Sequence, residues 1–142
     1  MRKRTTDELL KLISTENSLQ KYLDTNKNEF DNTTLAEALN HLLGKSTCSK
    51  ADIVRLSNLD KVYTYQIFDG TKSNPSRNKL LAICISLGSD LAETQYILRL
   101  GHAEPLHPRN VRDSVIIFAI NHKTSIMDLN SILYDMKEEL IT

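Results

Sequence analysis

The 142-residue sequence contains no tryptophan, only four glycines, three prolines and two cysteines. This scarcity of helix-breaking residues, with leucine and isoleucine recurring at helical spacing, predicts an all-α chain. A membrane helix needs roughly 20 apolar residues, and the longest apolar runs, such as residues 115–120, are far shorter. The length suits about one domain, with a core that needs neither disulfides nor metals.

The cysteines and the N-terminus indicate the compartment. Cys48 and Cys84 lack CxxC spacing and suit a reducing environment as free thiols. Met1 is not followed by the apolar stretch that a secretory signal requires. We therefore expect a cytoplasmic protein with no membrane partner.

The sequence also lacks the residue patterns of catalysis and of metal binding. Its four histidines show no i, i+4 pairing and no neighbouring cysteine cluster, so no metal site is predicted. It has no glycine-rich phosphate loop, and no nucleophile, base and oxyanion-donor set can be assembled from its motifs. We expect neither an enzyme nor a cofactor.

Charge is balanced overall but uneven along the chain. The 18 basic and 18 acidic side chains exclude a generally polycationic surface, so any nucleic-acid surface must be local. Residues 34–88 hold seven positive and four negative groups (+3), and residues 89–142 hold five positive and eight negative groups (−3). This division predicts anion binding by the middle section, or it is an ordinary fluctuation among solvated charges.

Residues typical of helix N-caps mark the expected helix starts, often with an acidic residue three positions later. The expected starts are Thr5 with Glu8, Ser14 or Thr15 before a second short helix, Thr34 with Glu37, Ser49 with Asp52, and Asp60 before residues 61–68. Glycine typically ends a helix, and the expected ends are Gly44, Gly70 and Gly88. The final helix is predicted over about residues 125–140.

Alignment of the sequence with itself at an offset of 35 positions shows an internal similarity. It places Arg77 on Arg112, Ile85 on Ile120, and Leu98 on Leu133. A fixed period of this length is typical of helical arrays. Two copies with few identities leave both duplication and chance open.

These boundaries predict three segments. Residues 1–33 form an N-terminal α-hairpin, residues 34–100 form a compact small-helix module, and residues 101–142 add C-terminal helices packed on that module. The run at residues 115–120 is more apolar than a surface helix needs. It is either the central helix of the C-terminal bundle or half of a homodimer interface.

In the middle segment two short helices are separated by a turn at Ser57-Asn58-Leu59, as in a helix-turn-helix. The stretches at 53–60 (IVRLSNLD) and 65–70 (YQIFDG), with Lys72, Asn74-Pro75-Ser76 and the 80–88 helix, resemble the XRE, or lambda-repressor-like, helix-turn-helix family. The resemblance covers about residues 34–100, and the whole chain looks like bacterial regulators of this length. It implies sequence-specific binding of double-stranded DNA and regulation of transcription.

The family's groove-facing positions fall on Lys61, Val62, Tyr63 and Gln66. Lys61 suits guanine, Gln66 suits adenine in a bidentate way, and Val62 suits a thymine methyl. The position at the start of the first motif helix, which meets the phosphate backbone in the family, falls on Lys50 beside Ser49.

The resemblance places further phosphate contacts after the second motif helix. They fall on Lys72, Asn74, Ser76 and Arg77. Contacts of this kind position a protein on DNA without specifying its sequence.

The chain departs from the family pattern at several positions. Asn58 replaces the usual turn glycine and tolerates a left-handed backbone. Thr64 replaces an apolar residue and suits the site if its hydroxyl bonds to the carbonyl four residues earlier. Asp60 and Asp69 bracket the reading helix, which weakens non-specific binding.

A second hypothesis is a protein-interaction adaptor that keeps the repressor-like fold without binding DNA. The neutral charge and the extra helices favour a partner protein, whereas the pattern of Lys61, Gln66 and Lys72 favours DNA.

Overall fold

A computed structural model describes residues 4–142 and shows an all-helical protein. Nine α-helices and one 3-10 helix occupy these residues, and none of them forms a strand. No helix within residues 4–142 is both long enough and apolar enough to cross a membrane. The chain divides into two compact units, Met1–Asn32 and Thr33–Thr142. The predicted segments 34–100 and 101–142 both fall in the second unit.

The first unit contains α1 (Thr6–Thr15), α2 (Leu19–Thr25) and a 3-10 helix (Lys27–Glu29). Thr5 caps α1 as predicted, its hydroxyl accepting from the Glu8 amide at 3.2 Å.

The predicted start of α2 at Ser14 or Thr15 is wrong. The Ser14 hydroxyl donates to the Lys11 carbonyl at 2.8 Å, and the Thr15 hydroxyl also bonds back to that carbonyl. Both residues therefore belong to the last turn of α1. The N-cap of α2 is Ser18, whose hydroxyl accepts from the backbone amide three residues later.

The second unit holds seven α-helices. They are α3 (Leu35–Lys45), α4 (Lys50–Ser57), α5 (Lys61–Asp69), α6 (Arg77–Leu87), α7 (Leu91–Leu100), α8 (Val111–Asn121) and α9 (Ile126–Asp135). α6 is the central helix, because Leu80, Leu81, Ala82, Ile83 and Cys84 are all fully buried. α4 and α7 pack against it, and α3 packs against α5 and α7.

The predicted caps of this unit are confirmed at most positions. Thr34, Ser49 and Asp60 accept hydrogen bonds from the first turns of α3, α4 and α5. Gly70 and Gly88 end α5 and α6 with positive φ angles of 88° and 72°. These backbone conformations favour glycine because it has no Cβ.

The prediction that Gly44 ends α3 is wrong. α3 continues through Lys45, and the amide of Ser46 closes its last turn by donating to the Leu43 carbonyl at 3.1 Å. Gly44 therefore lies inside the helix.

The predicted extent of the last helix is also wrong. Ser125 caps α9 as expected, but the helix ends at Asp135 rather than near Leu140. Lys137 adopts a left-handed conformation (φ 59°), and the amide of Glu138 donates back to the Leu133 carbonyl at 2.9 Å. This turn redirects the chain before Leu140.

The internal similarity at an offset of 35 residues corresponds to a repeated set of polar contacts. Arg77 Nε donates to the Glu104 carbonyl at 2.9 Å, and 35 positions later Arg112 Nε donates to the Glu139 carbonyl at 2.8 Å. Each arginine thus holds the segment that follows its own helix pair.

A second contact repeats at the same spacing. The amide of Leu106 donates to Gln95 Oε1, and the amide of Ile141 donates to Asn130 Oδ1, both at 2.8 Å. Leu106 and Ile141 are both buried. We call residues 77–106 the first repeat and residues 112–141 the second repeat. The shared contacts favour a structural repeat over a chance resemblance.

The two repeats contact each other reciprocally. The Arg77 guanidinium donates to both carboxylate oxygens of Asp113 at 3.0 and 2.9 Å, and Arg112 Nη2 donates to Asn78 Oδ1 at 2.8 Å. Asn78 and Asp113 are equivalent positions, 35 residues apart. Each arginine therefore reaches the same position of the other repeat, as in two units related by an approximate two-fold axis.

A third contact agrees with this relationship. Lys123 Nζ donates to the Gly88 carbonyl at 2.7 Å, and these two residues are also 35 positions apart. A position that meets its own equivalent lies near a two-fold axis. The repeats thus pair through equivalent faces, and each has an outer face turned away from the other.

Candidate nucleic-acid interface

The turn between α4 and α5 depends on Asn58. Its φ of 59° and ψ of 27° are left-handed, and its amide donates to the Val54 carbonyl at 3.1 Å. The Ser57 hydroxyl, in a fully buried residue, accepts from the Leu59 amide. Asn58 therefore takes the conformation that the sequence predicted for it, and the turn places α5 directly after α4.

α5 has a buried side and an exposed side. The buried side consists of Thr64, Ile67 and Phe68. On the opposite side Val62 is 65% exposed and Gln66 is partly exposed. Lys61 is exposed as the first residue of the helix, about 140° from Gln66 at 100° per residue. Because 3.6 residues make one turn, Val62 and Gln66 project from successive turns of the same face. Val62 and Gln66 thus share an open surface, and Lys61 is exposed at the N-terminal end of the helix.

The hydroxyl of Thr64 is satisfied inside the helix. It donates to the Asp60 carbonyl at 2.7 Å while the side chain is fully buried. This is the backward hydrogen bond that the sequence predicted. The buried hydroxyl of Thr64 is therefore paired.

Tyr63 lies at the edge of the open surface and packs partly against the core. Lys79 Nζ stands 4.2 Å from the centre of its ring, a cation–π contact. Lys79 was not among the site residues predicted from the sequence. Its place three positions after the Ser76 N-cap was the available signal, because side chains in the first turn of α6 lie near this surface.

Ser49 and Lys50 stand at the N-terminus of α4. The Ser49 hydroxyl accepts from the Asp52 amide at 3.1 Å, and the Asp52 carboxylate accepts from the Ser49 amide at 3.0 Å. Lys50 Nζ is 5.9 Å from the centre of the Phe68 ring. Lys50 therefore lies near the C-terminal end of α5, and Lys61 stands at its N-terminal end.

Lys72, Asn74 and Ser76 belong to the segment that joins α5 to α6. All three are exposed, and the Lys72 amide donates to the Gln66 carbonyl at 3.0 Å. Ser76 caps α6 by accepting from the Lys79 amide. The segment is thus folded back against the end of α5, with its polar side chains on the outside.

Arg77 is placed differently from the other predicted phosphate contacts. Its guanidinium makes two hydrogen bonds to Asp113 and two more to the carbonyls of Glu104 and Pro105. Only 24% of its side chain is exposed. The structure therefore uses Arg77 to join the two repeats.

Two acidic residues close to α5 carry negative charge. Asp60 accepts from the Tyr63 amide at 2.8 Å as the N-cap. Hydrogen bonds from Thr71 hold the pKa of Asp69 below its usual value, with a smaller contribution from the charge of Lys50. The carboxylate of Asp69 is therefore ionised at neutral pH, beside the cation of Lys50.

The described residues show no cluster of metal ligands, and the Cys84 thiol lies in the core. Residues 4–142 contain no group of three or more histidine, cysteine or acidic side chains arranged to hold a metal. Cys84 is fully buried, and burial raises the pKa of its thiol to about 12. A thiol with such a pKa is a poor nucleophile.

Comparison of the chain with protein families, with curated proteins and with solved structures finds no match in any of the three.

Proposed function

We propose that the protein is a sequence-specific DNA-binding transcriptional regulator of the XRE type, in which α4 and α5 form a lambda-repressor-like helix-turn-helix. One observation carries the proposal: Val62 and Gln66 project from α5 on the side opposite its buried residues. A recognition helix needs such an arrangement, because one side packs on the domain while the other enters the major groove.

α5 offers three kinds of base contact, two from its open side and one from its exposed first residue. Lys61 donates to guanine, the amide of Gln66 both donates to and accepts from adenine, and Val62 contacts a thymine methyl. Tyr63 stands at the edge, where its hydroxyl reaches either a base or the backbone.

Phosphate contacts come from two segments near the C-terminal end of the reading helix. Ser49 and Lys50 offer donors at the N-terminus of α4, where the helix dipole favours an anion. Lys72, Asn74 and Ser76 offer donors between α5 and α6. Arg77 is left out of this set because its guanidinium already binds Asp113 and the carbonyls of Glu104 and Pro105.

Salt-dependent binding to duplex DNA tests the proposal. In a fluorescence-anisotropy titration of random-sequence duplex, each phosphate that a lysine neutralises contributes about −0.9 to the slope of log K against log salt. Replacement of Lys50, Lys61 and Lys72 by alanine should reduce that slope by about 2 to 3 and weaken binding at low salt.

A control variant removes the same charge elsewhere. Lys11, Lys21 and Lys27 are exposed in the first unit, so their joint replacement by alanine lowers the net charge by the same three units. Equal loss of binding in the two triple variants would mean that general charge, and not the α4–α5 surface, attracts DNA. If the wild type does not bind DNA at low salt, the result would favour the adaptor hypothesis.

The adaptor hypothesis also has an observation in its favour. α8 and α9 expose large apolar side chains, among them Phe118 (57% exposed) and Met127 (79% exposed). A homodimer through these C-terminal helices, suited to paired DNA half-sites, stays a prediction. Location in the cytoplasm and a bacterial source likewise stay predictions.

A further inference from the structure

The outer faces of the two repeats differ in what covers them. In the first repeat Ile83 of α6 and Ile97 of α7 are fully buried. Their equivalents in the second repeat are Phe118 and Ile132, which are 57% and 38% exposed. The same positions of the same structural unit are thus covered in one repeat and open in the other.

α3 and α4 cover the outer face of the first repeat. α4 packs along α6, and α3 lies against α7. Leu42 of α3 borders the same open cavity as Ile97. The first repeat therefore already holds a pair of amphipathic helices on the face that the second repeat leaves open.

An ion pair joins the last turn of α3 to α7 of the first repeat. Lys45, in the last turn of α3, donates to Glu93 Oε2 at 2.8 Å. This contact raises the pKa of Lys45 and lowers that of Glu93. Glu93 stands one helical turn before Ile97, so the cation and the apolar stripe of α3 meet adjacent positions of α7.

The second repeat keeps the acidic half of this pair. Asp128 is the equivalent of Glu93, stands one turn before Ile132 and is exposed. No lysine or arginine of the described residues, 4–142, forms an ion pair with it. The open face therefore carries an apolar stripe and an unpaired carboxylate. These stand at the positions equivalent to those that α3 contacts on the first repeat.

We propose that the outer face of the second repeat, formed by Phe118, Asp128 and Ile132, docks an amphipathic α-helix of a partner protein. The partner helix carries an apolar stripe and a lysine or arginine in its last turn, as α3 does. The surface is separate from α4 and α5, so the proposal does not depend on DNA binding.

Charge favours a basic partner helix over a second copy of the same face. A two-fold pairing of this surface would bring Asp128 towards its own copy, within a segment that carries a net charge of −3 over residues 89–142. Like charges that face each other across an interface disfavour association. The α3 of a second copy is also buried against its own α5 and α7.

A helical peptide with the sequence of α3 provides the probe. An isolated helix of this length is marginal in water, so residues 33–46 are synthesised with a hydrocarbon staple joining positions 40 and 44, which are exposed in the chain. The labelled peptide is titrated with the full-length protein. We expect saturable binding, lost at least tenfold in Phe118→Asp and Ile132→Asp.

Met127→Asp is the matched control. Met127 is on α9 and 79% exposed, but its position on the helix is about 140° away from Ile132 at 100° per residue. This variant should bind the peptide as the wild type does. Urea unfolding of all three variants checks that each is folded.

A charge exchange tests the register. Asp128→Lys should weaken binding of the peptide severalfold, and a peptide with Lys45→Glu should restore it.

Three outcomes would contradict the proposal. If Phe118→Asp and Ile132→Asp bind the peptide with unaltered affinity, the peptide replaces the chain's own α3 instead of binding the second repeat. Absence of binding by the wild type contradicts it as well. A wild-type dimer in sedimentation that Phe118→Asp converts to a monomer would also contradict the proposal. The face would then be occupied by a second copy of this chain.

Discussion

Arg77 and Asp113 join the two repeats through two parallel hydrogen bonds of 3.0 and 2.9 Å, with only 7% of the Asp113 side chain exposed. Removal of one partner of a buried pair leaves the other charge without compensation. Arg77→Ala should therefore lower the free energy of unfolding by about 2 to 3 kcal/mol, somewhat less than for a fully buried pair.

Arg112→Ala is the natural comparison for this variant. Arg112 occupies the equivalent position but donates to neutral acceptors, the Asn78 amide and two backbone carbonyls. Its loss should cost about 1 kcal/mol. Urea denaturation of both variants measures the difference, and equal costs would refute a special role for the charged pair.

The same pair predicts the response of stability to acid. Burial by itself would raise the pKa of Asp113, but hydrogen bonds from Arg77 and from the His107 amide hold it below its usual value. Because the pKa is lower in the folded than in the unfolded chain, the stabilisation is fully present above the usual value of about 3.9. It is lost as the pH falls through the lower, folded pKa.

Urea unfolding between pH 7 and pH 2.5 tests this expectation. The wild type should lose stability on acidification below about pH 4, where carboxylates of ordinary pKa gain protons. Asp113→Asn should lose less over that range, because one carboxylate with a lowered pKa has been removed. A variant with the same acid dependence as the wild type would show that other carboxylates, such as Glu93 and Asp52, account for all of it.

The turn before α5 gives a prediction on backbone conformation. Asn58 has a φ of 59°, which costs most residues with a Cβ about 1 to 2 kcal/mol. Asn58→Ala should destabilise the protein by about 1 kcal/mol, whereas Asn58→Gly should change stability by less than about 0.5 kcal/mol. Thermal unfolding of the two variants compares them, and a tolerated alanine would contradict the left-handed turn.

Two glycines should respond to alanine in opposite ways. A Cβ on Gly101 would lie 2.5 Å from Leu80 Cδ1, in a fully buried side chain, whereas a Cβ on Gly44 would meet nothing within 4 Å. Gly101→Ala should cost about 1 to 3 kcal/mol through overpacking. Gly44→Ala should stabilise α3 by about 0.5 to 1 kcal/mol. Melting temperatures that move in the same direction would contradict this packing.

Helix starts were more predictable from the sequence than helix ends. Thr34, Ser49 and Asp60 each satisfy amides of the helix that follows, and this requirement is local. The start of α2 predicted at Ser14 was wrong because the Ser14 hydroxyl bonds back to a carbonyl of α1. The side chain is the same in both roles, and only the three-dimensional structure distinguishes them.

The candidate site was predictable to the extent that it depends on local pattern. The exposed side of α5 follows from its buried residues through helical periodicity, so the exposure of Val62 and Gln66 was predictable from the sequence. The placement of Arg77 was not. Its partner Asp113 is 36 positions away, and the pairing of the repeats decides that contact.

Selection of binding sites from a pool of random duplex DNA tests the central claim most directly. A regulator that reads bases with α5 should enrich a defined motif, and Gln66→Ala should lose the preference at one base pair at a cost of about 1 to 3 kcal/mol on the selected site. The other positions of the motif should keep their preference. Recovery of no motif by the wild type, or equal weakening of all sequences by Gln66→Ala, would contradict sequence reading by this helix.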